Sequence, residues 1–230
     1  MTPARFTGFG PAATDWFVAL DSDNSRAYWT ATKDIWLRDV RGPLEALLGE
    51  LADGLGGGVK LFRPHRDVRF SHDPSPLKRA AGGLLTGLPG AASRYLEISA
   101  EGLYAGTGIY RFERDQLDRF RRAAAAAAGA ALAGALDAVV AGGLELGGEV
   151  LRGAPQGYRR DHPRIDLLRR KGVYVGATLP PGDALETRAP VEHARRTWAA
   201  AAAVSGWLDT HVGPSDMAAE DPSRRRRTRG

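Results

Sequence analysis

A chain of 230 residues with 43% hydrophobic content is long enough to bury one substantial core. Zero cysteines exclude disulfides, thiolate metal ligands and a cysteine nucleophile, which fits a cytoplasmic protein. The formal charge of +5 equals the contribution of Arg224, Arg225, Arg226, Arg227 and Arg229 alone, so residues 1–223 are neutral and the basicity belongs to the C-terminus.

The chain opens without the charged start, apolar stretch and cleavage site of a signal peptide. Pro11 to Leu20 reads as a short helix, with Trp16, Phe17 and Leu20 on one side. Asn24 or Ser25 can cap a second helix that runs to about Val40. Pro43 opens a third, whose Leu44, Leu47, Leu48, Leu51 and Leu55 form an amphipathic stripe that the Gly56-Gly57-Gly58 run ends. From Val59 to Phe112 short strands are expected at 59–63, 68–71, 94–99, 103–105 and 108–112, with Tyr95, Glu97 and Ser99 alternating against Leu96 and Ile98.

Helix returns over 113–141, interrupted near Gly129 or Gly134. Its alanine run carries no large side chain, so something must approach its backbone closely. That run is uncharged over 123–136, but its Ala and Gly content favours a close-packed helix over a membrane span. A strand is expected over 144–151, a helix over 161–171 capped by Asp161, a strand over 173–179 and a last long helix from Pro190 to Val212. Helix blocks separated by a block of strands, without strict alternation, predict an α+β fold. It is expected as a single domain over 1–215: a mostly antiparallel sheet covered by helices from the N- and C-terminal parts of the chain. Residues 216–230 are expected to form a disordered Arg-rich tail.

Chemistry concentrates in residues 62–78, which gather cations, carboxylates, imidazoles and serines between Phe62 and Phe70. At a strand's period Arg63, His65, Asp67, Arg69 and Ser71 share one face, and Phe62, Pro64, Val68 and Phe70 the other. Arg66 breaks this pattern and must be neutralised or hydrogen-bonded. Three readings are open. Arg63, Arg69 and Lys78 can converge on a phosphate or carboxylate, with Asp67 orienting a guanidinium and Ser71 donating a hydrogen bond. Asp67 and Asp73 with His65 or His72 can act as acid and base or as hard metal ligands. Alternatively, Arg63, Arg66, Asp67 and Arg69 form an internal network that fixes strand register. Because guanidiniums outnumber nearby carboxylates, the anion reading leads. Its ligand-binding set is Arg63, Arg66, Asp67, Arg69, Ser71, Asp73 and Lys78, with no metal and no cofactor, and it extends to an enzyme acting on a phosphorylated or carboxylated metabolite. No membrane partner is expected, and nucleic acid only weakly through the tail.

Other clusters say less. Tyr158 to Pro163 brings Arg159 and Arg160 to an expected helix start, where Asp161 suits a simple N-cap. Tyr104 and Tyr110 sit among Gly102, Gly106 and Gly108, which permit close approach of a partner or a bulged hairpin equally. His193 and His211 stand alone on an expected helix as surface or packed residues. Serine-hydrolase and zinc-protease motifs are missing.

The string from Phe62 to Lys78, with its Arg-x-x-Arg-Asp-x-Arg-Phe core, resembles the signature of a bacterial and fungal family of conserved hypothetical proteins, known as a domain of unknown function. The segments Tyr95 to Ser99, Gly102 to Gly106 with Tyr110, Gly157-Tyr158, Asp161-His162-Pro163 and Leu167 to Gly172 are similar to its later blocks, so the resemblance spans about residues 6–212. It marks Arg63, Arg66, Asp67, Arg69, Phe70, Asp73, Ser75, Pro76 and Lys78. His72, Pro74 and Leu77 stand where the family usually has Lys, Lys and Tyr. The resemblance implies one conserved fold unit and no particular reaction.

Overall fold

The computed structural model describes residues 5–67 and 73–217; the expected strand 68–71 and, of the tail expected over 216–230, residues 218–230 lie outside them, while Asp216 N donates to Asp115 and Met217 N to the Ser215 hydroxyl. A six-stranded antiparallel sheet of order β1-β2-β3-β4-β6-β5 makes this an α+β fold. The strands are β1 (Gly58–Leu61), β2 (Ala80–Thr86), β3 (Ser93–Ser99), β4 (Gly102–Ile109), β5 (Glu145–Gly147) and β6 (Val173–Leu179). Contacts divide the chain into two compact units, and β4 and β6 contribute residues to both.

The first unit takes residues up to Pro89, with Ser93–Thr107 and Gly176–Ala201. It holds the helices α1 (Ala13–Ser22), α2 (Arg26–Ile35) and α3 (Gly42–Asp53). Ser25 Oγ caps α2 by accepting from Tyr28 N. The chain does not break before Pro43 as expected: α2 continues through a π-helical segment, Trp36–Arg41, directly into α3. Leu44, Leu47, Leu48 and Leu51 are buried as their spacing requires, each contributing about 1.5–3 kcal/mol of apolar transfer. They pack in one cluster with Phe6, Phe17 and Leu20 and with one face of the sheet, namely Ala81 and Leu85 of β2, Leu96 and Ile98 of β3, and Leu103 and Ala105 of β4. The strand's two-residue period therefore turns Gly82, Leu84, Tyr95, Glu97, Tyr104 and Gly106 to the opposite face, outside this core.

The β2 strand was not expected, because Ala-Ala-Gly-Gly-Leu-Leu-Thr has the composition of a loop. Its register is nonetheless regular, with Gly58 to Leu61 opposite Thr86 to Gly83, and Ala80 to Leu84 opposite Ser99 to Tyr95. Its glycines are steric requirements. A Cβ on Gly83 would lie 2.6 Å from Leu48 Cδ1, and one on Gly82 would lie 2.6 Å from the Tyr95 hydroxyl. Helix α7 (Ala189–Ala200) closes this unit. Trp198 Nε1 donates to Gly106 O at 2.9 Å, His193 Nε2 lies 2.9 Å from Ala177 O, and Arg188 donates to Phe6 O at 2.6 Å and to the Glu50 carboxylate.

The second unit comprises Gly90–Ala92, Gly108–Val175 and the chain from Ala202 onward. Its helices are α4 (Arg114–Ala125), α5 (Ala128–Ala141), α6 (Ile165–Leu168) and α8 (Ala202–His211). A reciprocal capping box of Glu113 and Gln116 starts α4. The interruption in the alanine-rich stretch falls at Ala126–Ala127, where α4 and α5 meet at 93°. Close approach to the bare backbone is realised there. Arg164 donates to the carbonyls of Ala124, Ala125 and Ala126 at 2.6–2.8 Å, and Trp207 Nε1 to Ala128 O at 2.9 Å. Among the described residues no single helix is long and apolar enough to cross a membrane.

Three expectations change in length or site. The strand at 144–151 is reduced to Glu145–Gly147, since Gly148 takes φ +121°. The helix expected over 161–171 forms only over Ile165–Leu168. Asp161 does not cap it, because the helix begins at Ile165 with Arg164 in the cap position, while Arg159 takes both Asp161 carboxylate oxygens at 2.9 and 2.7 Å. The helix expected from 190 to 212 is two, α7 and α8, parting at Ala201, and Trp198 and Trp207 serve different units.

Candidate functional site

Beyond the ladder of β1 and β2 the two strands continue as a hairpin that carries the charged segment. Phe62 N donates to Gly82 O at 2.9 Å, Lys78 N to Pro64 O at 2.8 Å and Arg66 N to Pro76 O at 2.8 Å, with His65 opposite Leu77. Asn24, next to the residue that caps α2, fixes the returning strand: its amide donates to Leu77 O and its carbonyl accepts from Leu77 N, at 3.1 and 3.0 Å. Leu77 is thereby seated in the core.

Side chains alternate in exposure along the outgoing strand. Phe62, Pro64 and Arg66 are half-buried, and Arg63, His65 and Asp67 are exposed. The two sets meet different neighbours. The His65 ring stands edge-on to Trp29 of α2, with centroids 5.2 Å apart. Phe62 instead meets Tyr95, at 6.2 Å between centroids, and Tyr95 meets Tyr104 at 6.4 Å. The Lys78 ammonium lies over the Phe62 ring at 5.4 Å. The alternation therefore puts Arg63 on the Trp29 side and Lys78 on the tyrosine side, and the two cations do not converge on one point.

Arg66 is the residue whose charge had to be satisfied, and the structure shows how. Its guanidinium donates to the Asp73 carboxylate across the hairpin and to Ser75 O at 3.3 Å. Asp73 in turn accepts from Ser75 N at 2.9 Å. The Ser75 hydroxyl and amide, followed by Arg66, hold the Asp73 carboxyl far below the ordinary carboxylate range. This arrangement pins one strand of the hairpin to the other. Arg69, Ser71 and His72, also named from the sequence, lie outside the described residues.

The cations that remain are distinct from this pair. Among the described residues Arg63 has no hydrogen-bond or ion-pair partner, and Lys78 has no carboxylate beside it. Arg79, their neighbour, pairs with Asp21 at 3.1 Å. On the tyrosine side the surface has little relief. A Cβ at Gly82 would meet the Tyr95 ring, and one at Gly106 or Gly176 would meet Tyr104, so these rings rest on glycine backbone. The Tyr95 hydroxyl donates to the Glu97 carboxylate.

Sequence reasoning missed a cleft of about 330 Å³ at the start of α1, lined by Gly10, Thr14, Asp15, Gly182, Asp183 and Glu186 among others. Its residues lie about 170 positions apart in the chain, and no local motif links them. Three carboxylates and no cation on that lining make it unsuited to an anion. Among the described residues no group of three or more His, Cys, Asp or Glu side chains is placed to hold a metal ion. His193 is buried, and burial lowers its pKa. His211 packs its ring 4.7 Å from Trp207.

These features define an α+β protein whose antiparallel sheet carries a pinned cationic hairpin on its first two strands. The family model of the conserved hypothetical proteins DUF2461 matches residues 12–207, and the chain belongs to that family. No curated protein and no solved structure matches it at a significant level.

Proposed function

We propose that the hairpin of residues 62–78 binds a small ligand bearing a phosphate or carboxylate. The observation that carries this reading is the division of labour among its cations. Arg66 is neutralised by Asp73, whereas Arg63 and Lys78 have no carboxylate beside them among the described residues. A cation already resting on an aromatic ring has fewer rotamers left to lose on binding, which favours capture of an anion. Lys78 is the point-charge contact, next to the Phe62 and Tyr95 rings. Arg63, with its planar fork, is suited to a second acidic group from the other side of the strand. Asp67, Arg69, Ser71 and Asp73 complete the proposed set, with Asp73 acting through Arg66.

The second reading, a structural or protein-interaction domain with an internal Arg/Asp network, is supported by the Arg66–Asp73–Ser75 arrangement itself. A thermal-shift panel separates the two. Millimolar pyrophosphate, phosphate and citrate should raise the melting temperature of the wild type, and Lys78→Ala should lose that rise. Stabilisation by none of these anions, or equal stabilisation of the Lys78→Ala variant, supports the internal network instead.

A further inference from the structure

Tyr110 is a large aromatic left 79% exposed at the end of β4, in the second unit. Its ring is stacked on Tyr174 of β6, with centroids 5.5 Å apart and planes 28° from parallel. Tyr174 is laid down on the next strand: a Cβ on Gly147 of β5 would fall within its ring. Gly172 leaves no room for a side chain against the Tyr110 carbonyl, and Gly108, at φ +134°, sets the chain against Val173 and Tyr174. Gly108 on β4, Gly147 on β5 and Gly172 just before β6 thus hold the two rings on a surface of low relief.

A cation lies beside them. Arg170 Nη1 donates to the carbonyl of Gly147, the residue under the Tyr174 ring, at 3.2 Å. This is the one hydrogen bond its guanidinium makes among the described residues, and no carboxylate pairs with it there. Desolvation lowers the Arg170 pKa and outweighs the opposite pull of the Asp166 carboxylate, so the charged group sits partly out of water with donors to spare. Lys171 and Glu149, by contrast, neutralise each other. Apart from the five arginines at the C-terminus the unit contains 12 Lys and Arg against 12 Asp and Glu, so the cation at the rings is a local feature and not part of a general positive surface.

The Tyr110 ring, four-fifths exposed, presents an open π-face to solvent. A strand of nucleic acid needs no concavity, because its bases stack on aromatic faces while its phosphates meet cations. We propose that Tyr110, Tyr174 and Arg170 form a stacking platform for single-stranded nucleic acid, a base resting on Tyr110 and a backbone phosphate meeting Arg170. This site is independent of the hairpin in the first unit, and its ligand is a polymer held on a flat face.

Fluorescence anisotropy of a labelled 12-nucleotide single strand, DNA or RNA, against the full-length protein at about 100 mM salt tests the platform. Tyr110→Ala should weaken binding about 5- to 100-fold, the range for losing one base stack, while Tyr110→Phe retains it. Arg170→Gln should weaken binding and flatten its salt dependence. A full-length variant with Arg224–Arg227 and Arg229 replaced by Ser should keep the response to Tyr110→Ala. The exposure of Tyr110 leaves the melting temperature of Tyr110→Ala close to that of the wild type, which separates lost binding from lost folding. No measurable binding by the wild type overturns the proposal. So does loss of all binding with the tail arginines, or equal binding by Tyr110→Ala. A change from dimer to monomer on Tyr110→Ala, with nucleic-acid affinity unchanged, would assign the same rings to contact between copies of this chain.

Discussion

Replacing one glycine by alanine should have opposite effects at two places in this fold. A Cβ added at Gly82 would stand 2.6 Å from the Tyr95 hydroxyl, 3.0 Å from Tyr95 Cε2 and 3.0 Å from Leu96 O, where ordinary van der Waals contact begins at 3.4 Å. The ring cannot swing aside freely, because its hydroxyl is bonded to Glu97 and Phe62 and Tyr104 flank it. The carbonyl belongs to the neighbouring strand of the ladder. Gly82→Ala should therefore cost about 1–3 kcal/mol, the range for overpacking. At Gly134, in the middle of α5, an added Cβ meets nothing within 4 Å, and Gly134→Ala should stabilise by about 1 kcal/mol through helix propensity. Urea denaturation of both variants gives the two values with one assay. Shortening the ring in a Gly82→Ala/Tyr95→Leu double variant should recover part of the first loss, giving a coupling energy of the order of 1 kcal/mol. A Gly82→Ala protein as stable as the wild type would refute the reasoning that the tyrosine rests on the glycine.

Two further outcomes test the packing of each unit. Burial raises the Asp115 pKa, but hydrogen bonds from Asp216 N, the Ser215 hydroxyl and Gln116 N, with Arg119 alongside, outweigh it and bring the pKa to about 2. A depressed carboxylate contributes stability that is complete above its ordinary pKa near 3.8 and lost as pH falls through about 2. The melting temperatures of wild type and Asp115→Asn should thus differ at pH 5 and converge below pH 2, and a constant difference across that window would contradict the assignment. Trp198→Phe should destabilise by about 1–3 kcal/mol, because it leaves the buried Gly106 carbonyl without its donor, and guanidinium denaturation with an unchanged slope reads that loss directly.

Much of the helical layer was legible in the sequence because its signal is periodic. Leu44, Leu47, Leu48 and Leu51 repeat at helical spacing, and the same residues line the core. Alternation in β3 was equally plain, since Leu96 and Ile98 are buried while Tyr95 and Glu97 are not. What could not be read were positions decided by a distant neighbour. The β2 strand looks like a loop because Gly82 and Gly83 answer to Tyr95 and Leu48, and Asp161 does not cap because the helix begins at Ile165 with Arg164 in the cap position, while Arg159 takes the Asp161 carboxylate. At the site, the need for Arg66 to be neutralised was visible from its phase in the strand. Its partner was less so, because Asp73 becomes a neighbour only once the hairpin turns back. Separation of Arg63 from Lys78 was visible in neither residue alone, since it depends on the register that sets His65 opposite Leu77.

Binding of an anion at the hairpin is tested most directly by an amide chemical-shift titration with pyrophosphate, comparing wild type with the Arg63→Ala and Lys78→Ala variants. Saturable shifts confined to residues 62–78 and their immediate neighbours are expected for the wild type, weakened about 10- to 100-fold by Lys78→Ala, as loss of a charge-assisted hydrogen bond predicts. Shifts that do not saturate, that scatter over the surface, or that Lys78→Ala and Arg63→Ala leave unchanged would contradict an anion site there.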